Sequence, residues 1–268
     1  MAVRSSAASS TTTIVAFAPR PRARAMIRAG LPRRRVRVQV TRSATEFAAA
    51  FHSQLLEAAL VDVGTPGPDA QRAVMLAREY PSIPFFGIAS YRVADTPSIA
   101  QCARHDFADV LADAVDAGLL GHLLATQSFS ARFARAFREP PAPLALTSEL
   151  QLAAWRAVIA RGGRSVATAE VARSLSVTRE HLSRTFAANS GPNLKRVIDL
   201  LRLLAAAELA KNPGYSVADV ARLLGFASAS HLSAAAQRLV DTRAASLSAL
   251  RAVDIIDRFV RGRGRSHA

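Results

Sequence analysis

Arg179, Glu180, Ser183 and Arg184 fall between the apolar positions of a segment running from Thr168 to Phe186. Within that segment Val171, Ala172, Leu175, Val177, Leu182 and Phe186 have the spacing of two helices crossing over a tight turn. Side chains of these three types hydrogen-bond base edges, and arginine and serine also bond phosphate oxygens, so the chemistry they imply is recognition of duplex DNA rather than bond making. Thr178 stands where the second helix would begin and is expected to cap it, followed by Glu180 and His181. A second copy of the pattern runs from Ser216 to Ser233, with Gly225 at its turn, where a left-handed backbone costs little only for glycine. Its recognition segment starts near Ser228 and offers Ser228, Ser230, His231 and Ser233 as the residues to face DNA.

Something must hold the two copies in register. Between them, Asn193 to Ala210 carries Leu194, Val197, Ile198, Leu201, Leu204 and Leu209 at helical spacing, with Arg202 among them. Two such units on one rigid helix can address successive major-groove faces one helical turn apart. The ordered set Leu182-Ser-Arg-Thr-Phe186, Gly191, Arg202 with Ala206, Val217-Ala-Asp-Val-Ala221 and Leu224-Gly-Phe226 resembles the DNA-binding domain of the AraC/XylS family of bacterial transcription regulators. The resemblance covers most of the C-terminal half. It implies two helix-turn-helix readers, double-stranded DNA as the partner, and RNA polymerase as a further partner if the chain activates transcription.

The departures fall in the last recognition helix. Where the family has an aromatic, a basic residue, a phenylalanine, a glycine and a proline, this chain has Leu232, Ala234, Ala236, Asp241 and Ala244. A missing cation at Ala234 removes a phosphate or base contact, and a missing ring at Ala236 removes core volume. The second reader is therefore expected to be the weaker, with Arg179 and Arg184 in the first carrying most of the discrimination.

The N-terminal half reads differently. Short apolar runs at Ile14–Phe17, Val36–Val40, Ala58–Val63, Pro84–Ala89 and Phe107–Leu111 alternate with helical patterns at Arg22–Leu31, Ala44–Gln54, Asp69–Tyr80, Pro97–His105 and Val115–Ala125. Five βα units of this length predict an α/β fold with a doubly wound, parallel, five-stranded sheet. Asp62 at the end of the third strand and Ser90 at the end of the fourth make this half resemble the receiver domain of two-component response regulators. That resemblance implies phosphoryl acceptance at Asp62, aided by an acidic pair after the first strand that holds Mg²⁺ and by a lysine after the fifth. Neither aid is here: the first strand runs into Ala16-Phe-Ala-Pro-Arg20, no acidic residue precedes Glu46, and the first lysine is Lys195. Phosphoryl transfer needs cations to neutralise developing charge, so the domain reads as degenerate and Asp62 as a vestigial acceptor.

The boundaries expected are a disordered tail at 1–13, a receiver-like domain at 14–126, a helix and Pro-rich linker at 127–146, a DNA-binding domain at 147–252 and a basic tail at 253–268. Phe129, Phe133 and Phe137 form a stripe on one face of the linker helix, which would either pack on its own domain or seal a homodimer. Glu139-Pro-Pro-Ala-Pro143 reads as a stiff, extended linker. Arg261-Gly-Arg-Gly-Arg265 suits nonspecific phosphate contact, with a short helix at Asp254–Val260 ahead of it.

The net charge of +15 is uneven: residues 1–45 hold ten arginines and no acid, whereas 46–140 hold seven basic and eleven acidic residues. The surplus in the C-terminal half, eighteen basic against nine acidic, suits a phosphate-rich partner. The single cysteine, Cys102, excludes a disulfide framework and points to a reducing cytoplasm. No run approaches a membrane span. No phosphate-binding glycine loop or nucleophile elbow is present, and the six histidines lack metal-ligand spacing, so neither an enzyme, a cofactor nor a metal site is expected. The whole reads as a transcription regulator working without phosphorylation, its effector unidentified. Two alternatives stay open: a phosphorylation-dependent response regulator using Asp62, and an interaction module that binds DNA only nonspecifically.

Overall fold

The computed structural model describes residues 12–32, 34, 36–188 and 191–262. Contacts divide the chain into two units, one comprising Ser10–Arg132 with Asn212–Tyr215 and the other Phe133–Lys211 with Ser216–Ala268.

The first unit is an α/β sandwich. Strands β1 (Thr12–Phe17), β2 (Val36–Thr41), β3 (Ala58–Asp62), β4 (Phe85–Ala89) and β5 (Asp109–Ala112) form one sheet in the order β2-β1-β3-β4-β5, every neighbouring pair parallel. β3 and β4 are buried at every residue, as strands covered on both faces must be. Alternation along β1 sends Ile14 and Ala16 to a core shared with α1 (Pro21–Gly30) and α5 (Ala117–Gln127). Phe17 goes to the opposite face, where it meets Phe47 of α2 (Ala44–Ser53) edge-on at 6.2 Å between ring centres, and Phe51 stacks on Phe85 at 5.7 Å. α3 (Pro68–Met75) and α4 (Thr96–Arg104) complete the unit. The helix predicted over Asp69–Tyr80 ends earlier, passing into a 3-10 turn at Leu76–Arg78. β5 starts two residues later than its apolar run, because Phe107 packs against Phe85 ahead of the strand.

α6 (Phe129–Ala136) follows α5. Its first turn is held by buried Glu57, whose carboxylate accepts from Ser130 N and Oγ, each at 2.8 Å. Of the phenylalanine stripe, Phe129 and Phe133 are buried within the chain, while Phe137 is half-buried.

The second unit is helical: α7 (Glu149–Ile159), α8 (Thr168–Ser174), α9 (Arg179–Ala187), α10 (Leu194–Leu209), α11 (Val217–Leu223), α12 (Ala229–Val240) and α13 (Ala252–Arg261). α10 buries eleven of its sixteen residues and is the axis about which the others pack. Two expectations are corrected here. The Pro-rich segment is not a free extended linker, since a 3-10 turn at Ala142–Leu144 buries Leu144 completely and lies against α13. The stretch from 253 is not simply a tail, since α13 buries Ile255, Ile256 and Phe259 while its arginines stay toward solvent. Thr12 and Thr13, placed in the tail by sequence, belong to β1. The rest of that tail, like Arg263 and Arg265, lies outside the described residues. No helix among the described residues is long and apolar enough to cross a membrane.

Candidate nucleic-acid interface and carboxylate pocket

The two helix-turn-helix copies share one local construction. In the first, Ser176 bridges α8 and α9 in the left-handed region at φ 56°; in the second, Gly225 does so at φ 69° between α11 and α12. The threonine hydroxyl of Thr178 accepts from His181 N at 3.1 Å, and Ser228 Oγ accepts from His231 N at 3.1 Å, so each recognition helix starts at a hydroxyl N-cap with histidine at its third position. Thr178 and Ser228, His181 and His231, Leu182 and Leu232, Ser183 and Ser233 therefore stand in a constant register of fifty residues. Leu182 and Leu232 are buried in the scaffold.

The other residues of this register form the outer face. Arg179, Glu180, Ser183 and Arg184 are exposed on α9; Ser230 and His231 are exposed on α12, with Ser233 half-buried. The caps at Thr178 and Ser228 are themselves exposed, and their hydroxyl protons remain available to donate. Beyond Ser183 and Ser233 the copies diverge. Arg184 is matched by exposed Ala234, and buried Phe186 by Ala236, which is 0% exposed. Neighbouring groups have closed over Ala236, so the missing ring has not left an open surface.

Arg202 links α10 to the second copy. Its Nε donates to Leu224 O at 3.0 Å, and its guanidinium lies 3.6 Å over the Phe226 ring. The ring of Phe226 meets His231 edge-on at 5.8 Å.

The second candidate site lies at the carboxyl edge of the sheet, where open α/β folds place their ligands. Asp62 is fully buried there. Arg20 meets both of its oxygens: Arg20 Nε donates to Oδ1 at 2.7 Å, Arg20 Nη2 lies 2.5 Å from the same atom, and Arg20 N donates to Oδ2 at 3.2 Å. Thr65 Oγ1 adds a bond to Oδ2 at 3.1 Å. The far edge of the guanidinium reaches Ser90 Oγ at 2.6 Å and Asp113 Oδ2 at 3.0 Å, and Ser90 donates onward to Asp113 at 2.8 Å. Burial works against the Arg20 charge, but its hydrogen bond to Asp62 and the fields of Asp62, Asp113 and Asp95 outweigh it and raise its pKa above the ordinary value. Gly64 makes room: a side chain there would place Cβ 2.6 Å from Arg20 Nη2.

The predicted pair Asp62 and Ser90 are thus brought together, but around an arginine. The sequence shows the missing acids and lysine, but neither Arg20 nor Asp113 stands out in it as a site residue. The signal available was position, since Arg20 follows β1 and Asp113 follows β5, the two places where the receiver family keeps its acids and its lysine. This pocket does not fit Mg²⁺: Ala18 and Pro19 stand where the acidic pair would be, and the guanidinium covers the carboxylate lone pairs a metal would need. Among the described residues no group of three or more His, Cys, Asp or Glu could hold a metal ion.

Residues 171–247 match a family model described as a helix-turn-helix domain. The segment is a DNA-binding helix-turn-helix domain of the AraC type, preceded by an α/β unit with a five-stranded parallel sheet. The chain is thereby placed among DNA-binding transcription regulators. No curated protein matches it. Solved structures with similar elements include full-length FixJ from B. japonicum, 16% identical over 85% of this chain and 97% of that one, with a TM-score of 0.39. The RcsB response regulator of Salmonella typhimurium is 14% identical over 66% of this chain and 89% of its own, with a TM-score of 0.37. A response regulator protein from Burkholderia pseudomallei, bearing a phosphorylated aspartic acid, is 18% identical over 68% and 100%, with a TM-score of 0.35. Similarity this distant carries no functional argument.

Proposed function

We propose that this protein is a sequence-specific transcription regulator of the bacterial cytoplasm whose α/β unit works without phosphoryl transfer. The exposed faces of α9 and α12 read bases, with Arg179, Glu180, Ser183 and Arg184 of the first reader supplying most of the discrimination and Thr178 and Ser228 anchoring the backbone. RNA polymerase and a second copy of the chain are the protein partners this role would call on.

The observation that carries phosphorylation independence is the seat of Arg20. An aspartate attacks a phosphodonor through a carboxylate oxygen, and both oxygens of Asp62 already accept hydrogen bonds from Arg20. The guanidinium, with Ser90 and Asp113 beyond it, supplies within the chain the positive charge that a metal and a lysine would otherwise bring. Incubating the protein with a small phosphodonor and Mg²⁺ and weighing it intact tests this directly. No mass gain is expected. A phosphoryl increment abolished by Asp62→Asn would return the protein to the phosphorylation-dependent class.

A further inference from the structure

The second reader has lost a cation at Ala234, yet one side chain of its recognition helix is fixed with unusual care. The His231 ring is held on two sides. Its Nδ1 accepts a hydrogen bond from Ala227 N at 3.4 Å, and its face or edge is set by Phe226, perpendicular to it at 82°. Phe226 is in turn covered by the Arg202 guanidinium, whose Nε is fixed on Leu224 O. Arg202 stems from the buried helix α10, so the chain of contacts runs from core to turn to recognition helix. Among the described residues, Arg202 Nη2 is buried with no hydrogen-bond partner, as suits a guanidinium placed for its stacking face.

An imidazole whose Nδ1 accepts an N–H carries no proton there, and its neutral form holds the proton on Nε2. His231 is exposed, and with Nδ1 engaged by Ala227 N its Nε2 is left as the hydrogen-bond donor on the first turn of α12, the part of a recognition helix that contacts base edges. We infer that His231 reads a major-groove acceptor, a purine N7 or guanine O6, and that Arg202 is the positioning residue that holds it through Phe226. This rests on the proposed DNA-reading function and names how its weaker half still discriminates. One well-placed donor explains how a helix without arginine on its outer first turns can contribute sequence preference.

The test uses the full chain and a randomised duplex DNA pool, with the enriched motif read for the wild type, His231→Phe, His231→Gln, Arg202→Lys and the Arg202→Lys/His231→Phe double variant, and helicity checked by circular dichroism. The wild type should enrich a two-part motif. His231→Phe, which keeps a ring against Phe226 but no donor, should lose base preference by about tenfold at positions in one part only. His231→Gln, which keeps an amide donor, should retain part of that preference. Arg202→Lys should lose preference at the same positions, and the double variant should lose no more than His231→Phe alone, because both act through one contact. A motif unchanged in His231→Phe, a uniform weakening across both parts, or additive losses would overturn the inference. A wild-type motif of one part would do the same, whereas a wild type that enriches nothing would defeat the DNA-reading function itself.

Discussion

Arg20 Nε donates to Asp62 Oδ1 across 2.7 Å, joining residues forty-two positions apart at the carboxyl edge of the sheet. The pair is unequal: the Arg20 side chain keeps 19% of its surface exposed, while the Asp62 side chain has none. Asp62 thus depends on Arg20 for its charge compensation far more than the reverse, because Arg20 also holds Asp113.

That asymmetry predicts the response to mutation. Arg20→Met should cost about 3–5 kcal/mol in urea denaturation, because it leaves a buried carboxylate without its partner. Asp62→Asn should cost clearly less, since Arg20 keeps Asp113 and Ser90. Equal losses for the two variants would contradict the asymmetry, and a negligible loss for Arg20→Met would show that the arginine is not the neutralising group.

How far the sequence reveals this molecule depends on the range of the interaction. Continuous apolar runs such as Ala58–Val63 and Phe85–Ala89 disclose buried parallel strands, because burial on both faces leaves a local signature in residue type. The hydroxyl caps at Thr178 and Ser228 are also local, acting over three residues. The Arg20 pocket is not. Its ligands are separated by up to ninety-three positions, and a list of absent acids does not reveal which cation replaces them. α13 is legible only in part: the sequence marks a short helix at Asp254–Val260, but the flanking arginines suggest a solvated end, while Ile255, Ile256 and Phe259 decide its burial.

Ala236 carries the next prediction. Its counterpart in the first copy is Phe186, and a loss of core volume there suggests that restoring the ring would stabilise the fold. The full burial of Ala236 argues the opposite. Ala236→Phe should destabilise the protein by about 1–3 kcal/mol through overpacking. A stability gain on thermal or chemical unfolding would reveal a cavity beside α12.

Ala234 is exposed and stands in the register of Arg184. Ala234→Arg should therefore add a phosphate contact without disturbing the fold, steepening the dependence of log Kobs on log salt by about one unit. An unchanged slope would mean that this face of α12 does not approach the DNA backbone.

Cys102 lies fully buried on α4, and burial pushes its thiol up to about 11. The folded state then holds its proton more tightly than the unfolded chain does. Its contribution to stability is intact below the unfolded thiol pKa of about 8.5 and is lost as pH rises from there toward about 11. Stability measured against pH should fall more steeply in that window for the wild type than for Cys102→Ala, and iodoacetamide should label the thiol only on unfolding. Parallel pH profiles for the two proteins would contradict this.

The central claim is that exposed residues of α9 and α12 read DNA sequence with no phosphoryl group on Asp62. Its most direct test is binding of the purified protein, without any phosphodonor, to the DNA upstream of its own gene and to a scrambled duplex, across a salt series, for the wild type and Arg184→Ala. A specificity ratio of roughly 10³ or more is expected for the wild type, reduced about tenfold by the substitution. Equal binding to both duplexes, differing only in salt slope, would contradict it and leave a protein that holds DNA without reading it.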